Sequence, residues 1–444
     1  RTACLSSIAA LPRKQGFRAC RRDKGAIETD EVCDRPLTPS VHTTGIDFIL
    51  CNQHRNEKRR ISLMDVTRFT HPIDLRAVSI TDPFWQRETE LVRREVIPYQ
   101  WDALNDRIPG AEKSWCMHNF RLAGRIMAQA RQQGAQYTPQ AYTYRGYNAL
   151  PDDPAHPDED KFYGFLFQDT DFSKWIEAVG YSLIQHPDEA LEATADEAID
   201  VVCAAQTPEG YLDTYYIING MDGAFQNLRD HHELYCLGHL IEGAVSYYQA
   251  TGKDKLLRAA CRFADYVADF FGTAGGQCKG YPGHEIAEMA LVRLYEVTQD
   301  EKYLRLSRFF IDERGQEPNY FVEEERRNAE REHRPVRSVN LAYHQAVKPV
   351  REQDEAMGHA VRAVYLYSGM ADVCRIPLPG TLFRESSGRG RCFRQARIIP
   401  QSPEKHGTAR SFSKTTFSVF SLRRPHPAAN SPSQTSPCKT RPSY

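Results

Sequence analysis

The 444-residue chain has no Cys-x-x-Cys pair and no stretch approaching the roughly 18 unbroken apolar residues that a membrane helix needs. The first absence excludes a zinc ribbon or finger. Its 12 cysteines, spread from Cys4 to Cys438, are too sparse for a disulfide scaffold. The second absence excludes a transmembrane helix, so no membrane partner is expected. A long apolar run of the secretory type is also missing at the start, because the patch Cys4 to Leu11 is broken by Ser6 and Ser7 and followed by basic residues. The expected location is cytoplasmic, the alternative being that the true start is missing from this sequence.

Charge of one sign is scarce as well, with a net charge of −1, yet that figure sums unlike parts. Residues 1–65 hold 12 Lys/Arg against 8 Asp/Glu, and residues 381–444 hold 12 against 2. The body between them, residues 66–380, carries 33 basic and 48 acidic side chains, a balance of −15. An acidic body argues against nucleic acid as a partner, since phosphate binding needs clustered Lys and Arg. The tail from Thr381, with 11 Ser and 7 Pro and little periodic apolar content, is expected to stay disordered. Three regions follow: a basic extension over 1–65, a globular domain over 66–376 and a disordered Ser/Pro/Arg-rich tail over 377–444.

What is present is helical periodicity. Hydrophobic residues make up 41% of the chain and charged residues 26%, ordinary for a globular protein. From Ser173 to Gln185, Trp175, Ile176, Val179 and Leu183 recur at three-to-four spacing, with Ser173 as candidate N-cap. A second helix starts at Pro187, with Pro and Asp in its first turn. Similar helix pairs recur over Glu233 to Phe271 and over Gly283 to Gly315. With an offset of 47 they match at Val245/Val292, Tyr248/Tyr295, Thr251/Thr298, Lys255/Lys302 and Leu257/Leu304. A further inner helix is written over Glu352 to Val373. The long connections, rich in Gly, Tyr and Asp, favour a closed (α/α) toroid with a pocket on one rim over an open solenoid. The predicted fold is all-α, an incomplete (α/α)6 toroid of helical hairpins with disordered basic N- and C-terminal flanks.

One dipeptide recurs at three inner-helix regions: Gly238-His239, Gly283-His284 and Gly358-His359, with His231-His232 ahead of the first. The positive end of a helix disfavours imidazolium, so these rings are expected to be neutral; each fits either a ligand hydrogen bond or a core histidine satisfied by backbone, and their recurrence favours the ligand for the group. His239 lies a turn inside its helix and is the weakest of the set. The loop "QTPEGYLDTYY", Gln206 to Tyr216, fits either a carbohydrate platform or a structural loop with buried tyrosines. Glu233, Glu285, Glu288, Asp169 and Asp171 are acid and base candidates, but spacing does not select a catalytic pair, because the separation that matters is spatial.

The succession "ITDPFW" at Ile80, "NFRLAG" at Asn119, "DTDFSKWIEA" at Asp169, "AAQTPEGYLDTYY" at Ala204, "HHELYCLGHLIEGAVSYYQATGK" at His231, "YPGHEIAEMALVRLY" at Tyr281 and "PVREQDEAMGHAVRAVYLYSGMADV" at Pro349 resembles glycoside hydrolase family 127, the β-L-arabinofuranosidase-type enzymes. The likeness spans roughly residues 71–375. It implies an (α/α)6 catalytic toroid followed by β-sandwich domains, acting on non-reducing-end β-L-arabinofuranosyl groups of an arabinose-containing oligosaccharide or glycan. By the same resemblance His232, His284 and His359 are substrate-binding residues. The family's chemistry uses a cysteine thiolate held on Zn²⁺ by a glutamate and three cysteines, with a second glutamate as general acid.

The chain departs from that pattern where the chemistry resides. The family's metal glutamate, its nearby cysteine and its Cys-Cys pair lie downstream of the "GHAVRA" helix. After Cys374 this sequence has only Cys392 and Cys438, with no Cys-Cys and no Glu-x-Cys. Val347 also stands where a histidine is expected. Zinc is the cofactor the family implies, yet neither its ligands nor any other metal or catalytic residue is assigned. The expectation is a glycosidase-like protein that is inactive as this chain, its residues 377–444 and the first 65 not being native continuations of the domain. The alternatives are a non-catalytic carbohydrate-binding protein and a sugar epimerase or lyase on an (α/α) toroid.

Overall fold

The computed structural model describes residues 73–376, all of which fall within one compact unit. The expected basic flanks, 1–65 and 377–444, lie outside the described residues. Over residues 73–376 the chain is mostly helical, as the periodicity predicts. The only strands among the described residues are two of two residues each, β1 (Asn148–Ala149) and β2 (Gly164–Phe165), paired antiparallel.

Among the described residues a 3-10 turn at Leu75–Ala77 comes first, followed by α1 (Pro83–Leu91), which passes through a π turn at Val92–Val96 into α2 (Ile97–Leu104). The "ITDPFW" motif is a helix start: the Asp82 carboxylate accepts the Phe84 and Trp85 amides at 3.0 and 3.1 Å, and Pro83 takes the first position, where no amide is needed. Next come α3 (Cys116–Gln133), α4 (Asp169–Gln185), α5 (Glu189–Ala204) and a short buried α6 (Thr214–Asn219). The remaining helices are α7 (Glu233–Thr251), α8 (Lys255–Phe270), α9 (Ala287–Thr298), α10 (Glu301–Glu313), α11 (Tyr320–Arg331) and α12 (Ala360–Arg375).

Ser173 is not the cap of α4. The helix starts four residues earlier, and the Ser173 hydroxyl donates back to the Asp169 carbonyl. The start is displaced because Asp169 is anchored from outside its own segment, accepting the Thr214 amide at 2.7 Å. The next helix, expected to start at Pro187, begins two residues later, because Asp188 is its cap and not part of its first turn, accepting the Ala190 and Leu191 amides.

The helices pack in two layers. Inner helices α4, α7, α9 and α12 follow one another, each against the next, while α5, α8 and α10 back them on the outside. The contact of α4 with α7 is the most extensive, and glycine permits it. A Cβ on Gly243 would lie 2.6 Å from both the Ile176 side chain and the Ser173 carbonyl.

The 47-residue repeat extends to individual hydrogen bonds. Thr251 closes α7 by donating to the Tyr247 carbonyl at 2.8 Å, and Thr298 closes α9 on the Leu294 carbonyl at the same distance. Each hydroxyl then accepts the amide two residues on, from Lys253 and from Asp300. The residue after each helix is left-handed, Gly252 at φ 75° and Gln299 at φ 60°.

Candidate functional site

The three histidines singled out by sequence meet at the N-terminal ends of the inner helices. His232 is the N-cap residue of α7, His359 is the N-cap residue of α12, and His284 lies three residues ahead of α9. Ring centroids are 5.6 Å apart between His232 and His284, and 6.0 Å between His284 and His359. Tyr235 fills the angle between the first two, 5.6 Å from His232 and 4.5 Å from His284. The small hairpin supplies a wall, with Tyr147 just before β1 and Phe167 just after β2, at 6.0 and 4.9 Å from His232. Tyr343 closes the far side, 5.3 Å from His359.

Hydrogen bonds assign the ring tautomers. His232 Nδ1 faces the Asp230 carbonyl and His284 Nδ1 faces the Glu285 carbonyl, both at 3.0 Å. A carbonyl only accepts, so each Nδ1 carries the proton and each Nε2 presents a lone pair. His359 is the reverse: its Nδ1 accepts the Arg362 amide at 3.5 Å, which leaves Nε2–H as a donor. Burial holds His232 down at about 3 and His284 at about 4, and it lowers His359 as well. All three are neutral at neutral pH, so the cluster offers two acceptors and one donor.

His239 lies behind Tyr235, at 4.5 Å between centroids. It is 4% exposed and neither ring nitrogen has a hydrogen-bond partner among the described residues. His231 turns away from the cluster toward the Tyr216 hydroxyl. The tyrosines of the Gln206 to Tyr216 loop are structural: Tyr211, Tyr215 and Tyr216 are at most 1% exposed, and the Tyr211 hydroxyl donates to Glu233 at 2.7 Å.

The carboxylates are likewise committed to the scaffold. Glu233 also accepts the Phe225 amide, and burial raises its carboxyl to about 8. Asp169 holds Thr214, and Asp171 accepts from the Gln168 amide. Glu285 and Glu288 flank the fully buried Arg314 at 2.9 and 3.1 Å, and burial raises Glu285 to about 7.

Two arginines missed by the sequence reading hold the cluster's loops. Arg314 donates to the Pro282 and His344 carbonyls at 2.7 and 2.9 Å. Arg362 donates to the Gly283 carbonyl at 2.9 Å and to His344 Nδ1 at 2.6 Å, with its guanidinium 4.7 Å over the Tyr343 ring. The signal for Arg362 was its spacing, since with Leu366 and Met370 it shares the buried stripe of α12.

The described residues do not fit a zinc–thiolate centre. No group of three or more His, Cys, Asp or Glu among them is arranged to hold a metal. Burial raises Cys203 to about 11 and pushes Cys116 and Cys236 well up, the reverse of a metal-bound thiolate.

The profile of the beta-L-arabinofuranosidase GH127 catalytic domain matches residues 77–377. The non-reducing end beta-L-arabinofuranosidase of Bifidobacterium longum subsp. longum is 36% identical over 304 residues, covering 67% of this chain and 43% of that protein. A GH127 beta-L-arabinofuranosidase from Geobacillus stearothermophilus T6, known as a crystal structure, is 45% identical with a TM-score of 0.57, over 67% of this chain and 42% of that one. A further GH127 beta-arabinofuranosidase structure is 34% identical with a TM-score of 0.55, over 74% and 42%. The chain thus spans less than half the length of these relatives.

Proposed function

The chain belongs to the GH127 beta-L-arabinofuranosidase catalytic-domain family, and we propose that its histidine cluster binds the terminal arabinofuranosyl unit of an arabinose-containing glycan without hydrolysing it. The observation that carries this reading is the pairing of tautomers: Nε2 of His232 and of His284 is left as an acceptor and Nε2–H of His359 as a donor, a set that suits sugar hydroxyls. Such a set rejects a ligand lacking the hydroxyls, because its buried polar atoms would go unpaired. Tyr235, Phe167 and Tyr147 supply apolar faces for the ring carbons.

In this reading α4, α7, α9 and α12 form part of the inner wall of an (α/α)6 toroid, and their N-terminal ends line its central pocket. Zinc would supply a deprotonated cysteine to attack the anomeric carbon. The described residues offer no set for it, and in this reading the cluster's part is to bind the sugar, while hydrolysis would need that thiolate.

The test is release of nitrophenol from 4-nitrophenyl β-L-arabinofuranoside by the full chain with Zn²⁺ added. None is expected, and L-arabinose incubated with the protein is recovered unchanged. Nitrophenol release above the rate without protein contradicts the loss of hydrolysis, and conversion of the arabinose points to an epimerase or lyase instead.

A further inference from the structure

A cavity of about 590 Å³ opens on the outer flank of the fold, between the end of α8, the loop before His284 and helix α11. None of the three site histidines lines it. Its size suits a ligand of about a disaccharide. The floor is aromatic: Phe225 and Phe270 lie 4.8 Å apart at 38°, with Phe270 40% exposed, and Tyr320 faces them across the cavity. Around it stand three cations, Lys279, Arg327 and Arg331, and three acids, Glu313, Glu317 and Glu323. Arg327 lies 5.2 Å over the Tyr320 ring and has no ion pair among the described residues.

Phe225 shows that this floor is built. Its φ of 57° is a left-handed conformation that a phenylalanine rarely adopts. The conformation is held because its amide donates to both carboxylate oxygens of Glu233, at 3.1 and 2.9 Å. Glu233 is the first residue of α7 and follows His232, so the outer floor and the histidine cluster are fastened to one carboxylate.

We propose that this cavity is a second carbohydrate subsite, which takes a sugar unit of the same glycan whose terminal residue occupies the histidine cluster. It rests on the reading of that cluster as an arabinose pocket. The chemistry selects a neutral polyhydroxylated ligand. Balanced cations and acids disfavour either ionic class, whereas hydroxyls use both donors and acceptors and sugar ring carbons lie against Phe270 and Tyr320.

Hydrogen exchange of the full chain, read with a short arabino-oligosaccharide, with L-arabinose and with inorganic phosphate, tests this. The oligosaccharide is expected to slow exchange over residues 316–331 as well as at 232–239 and 283–290. Phe270→Ala with Arg327→Ala is expected to abolish protection over 316–331 and to weaken oligosaccharide binding about tenfold, with unchanged melting temperature. Protection confined to the histidine segments, or binding by the double variant equal to the parent's, overturns the proposal. So does protection of 316–331 by phosphate alone. Protection of 316–331 without the histidine segments leaves carbohydrate binding at the cavity but sinks the arabinose pocket and the shared glycan, whereas protection of the histidine segments alone sinks only the subsite, so the two readings fail separately.

Discussion

Arg362 Nη1 lies 2.6 Å from His344 Nδ1, and the same nitrogen reaches the Gly283 carbonyl at 2.9 Å. The contact ties α12 to the loop that carries His284, while the guanidinium covers Tyr343, the neighbour of His359. Arg362→Lys keeps the charge but loses the flat stack and the directed fork. L-arabinose affinity is expected to fall about tenfold with the helical circular dichroism unchanged. In ¹⁵N spectra the His344 Nδ1 signal, unprotonated in the parent, is expected to shift. Parent-like affinity and an unmoved His344 signal together would remove Arg362 as a positioning residue.

Arg314 is fully buried between Glu285 and Glu288. Arg314→Met leaves two carboxyls without their cation and is expected to cost about 3–5 kcal/mol in urea unfolding. Adding Glu285→Gln and Glu288→Gln is expected to recover most of that loss, since the charge and not the contact is what suffers. A single variant within about 0.5 kcal/mol of the parent would contradict the triad's role.

The helix pairs and their 47-residue repeat were legible because each is written locally, as a period or a turn; the recurring Gly-His dipeptide pointed to His284 and His359 but also to His239, and His232 was marked by the family resemblance. The two arginines were not, because an arginine, whether in a helix like Arg362 or just past one like Arg314, reads as a solvated side chain until distant carbonyls converge on it. Burial also decided the tyrosine loop, whose composition alone suited two roles. The start of α4 was misread at Ser173 for the same reason: Thr214, far along the chain, anchors Asp169.

Buried carboxyls and histidines set the pH dependence in opposite senses. Burial holds Glu233 at about 8 and Glu242, Glu285 and Glu324 at about 7. Their stabilising contribution is full below the unfolded value of about 4.3 and is lost as pH rises through 7 to 8. Burial holds His232 and His239 at about 3 and His284 and His344 at about 4. Theirs is full above about 6.5 and is lost as pH falls toward 4 and 3. Above 6.5 only the carboxyl slope remains, so the urea midpoint is expected to drop from pH 6.5 to pH 8. Glu233→Gln should flatten that drop, and a midpoint rising over the interval would contradict the assignment.

Gly243 and Gly252 separate close packing from backbone conformation. Gly243→Ala forces α4 and α7 apart and is expected to cost about 1–3 kcal/mol. At Gly252 nothing lies within 4 Å of an added Cβ, so Gly252→Ala meets only the left-handed φ and is expected to cost roughly 1 kcal/mol. Equal or reversed losses in parallel urea titrations would argue against the tight α4–α7 contact.

Calorimetric titration of the full chain with L-arabinose, beside His232→Ala, His284→Ala and His359→Ala, addresses the histidine cluster most directly. Saturable binding is expected in the parent, weakened by about tenfold or more in each variant, with all four proteins retaining their melting temperature. Absence of binding in the parent, or equal affinity in all four, would contradict the assignment of this cluster as the sugar pocket.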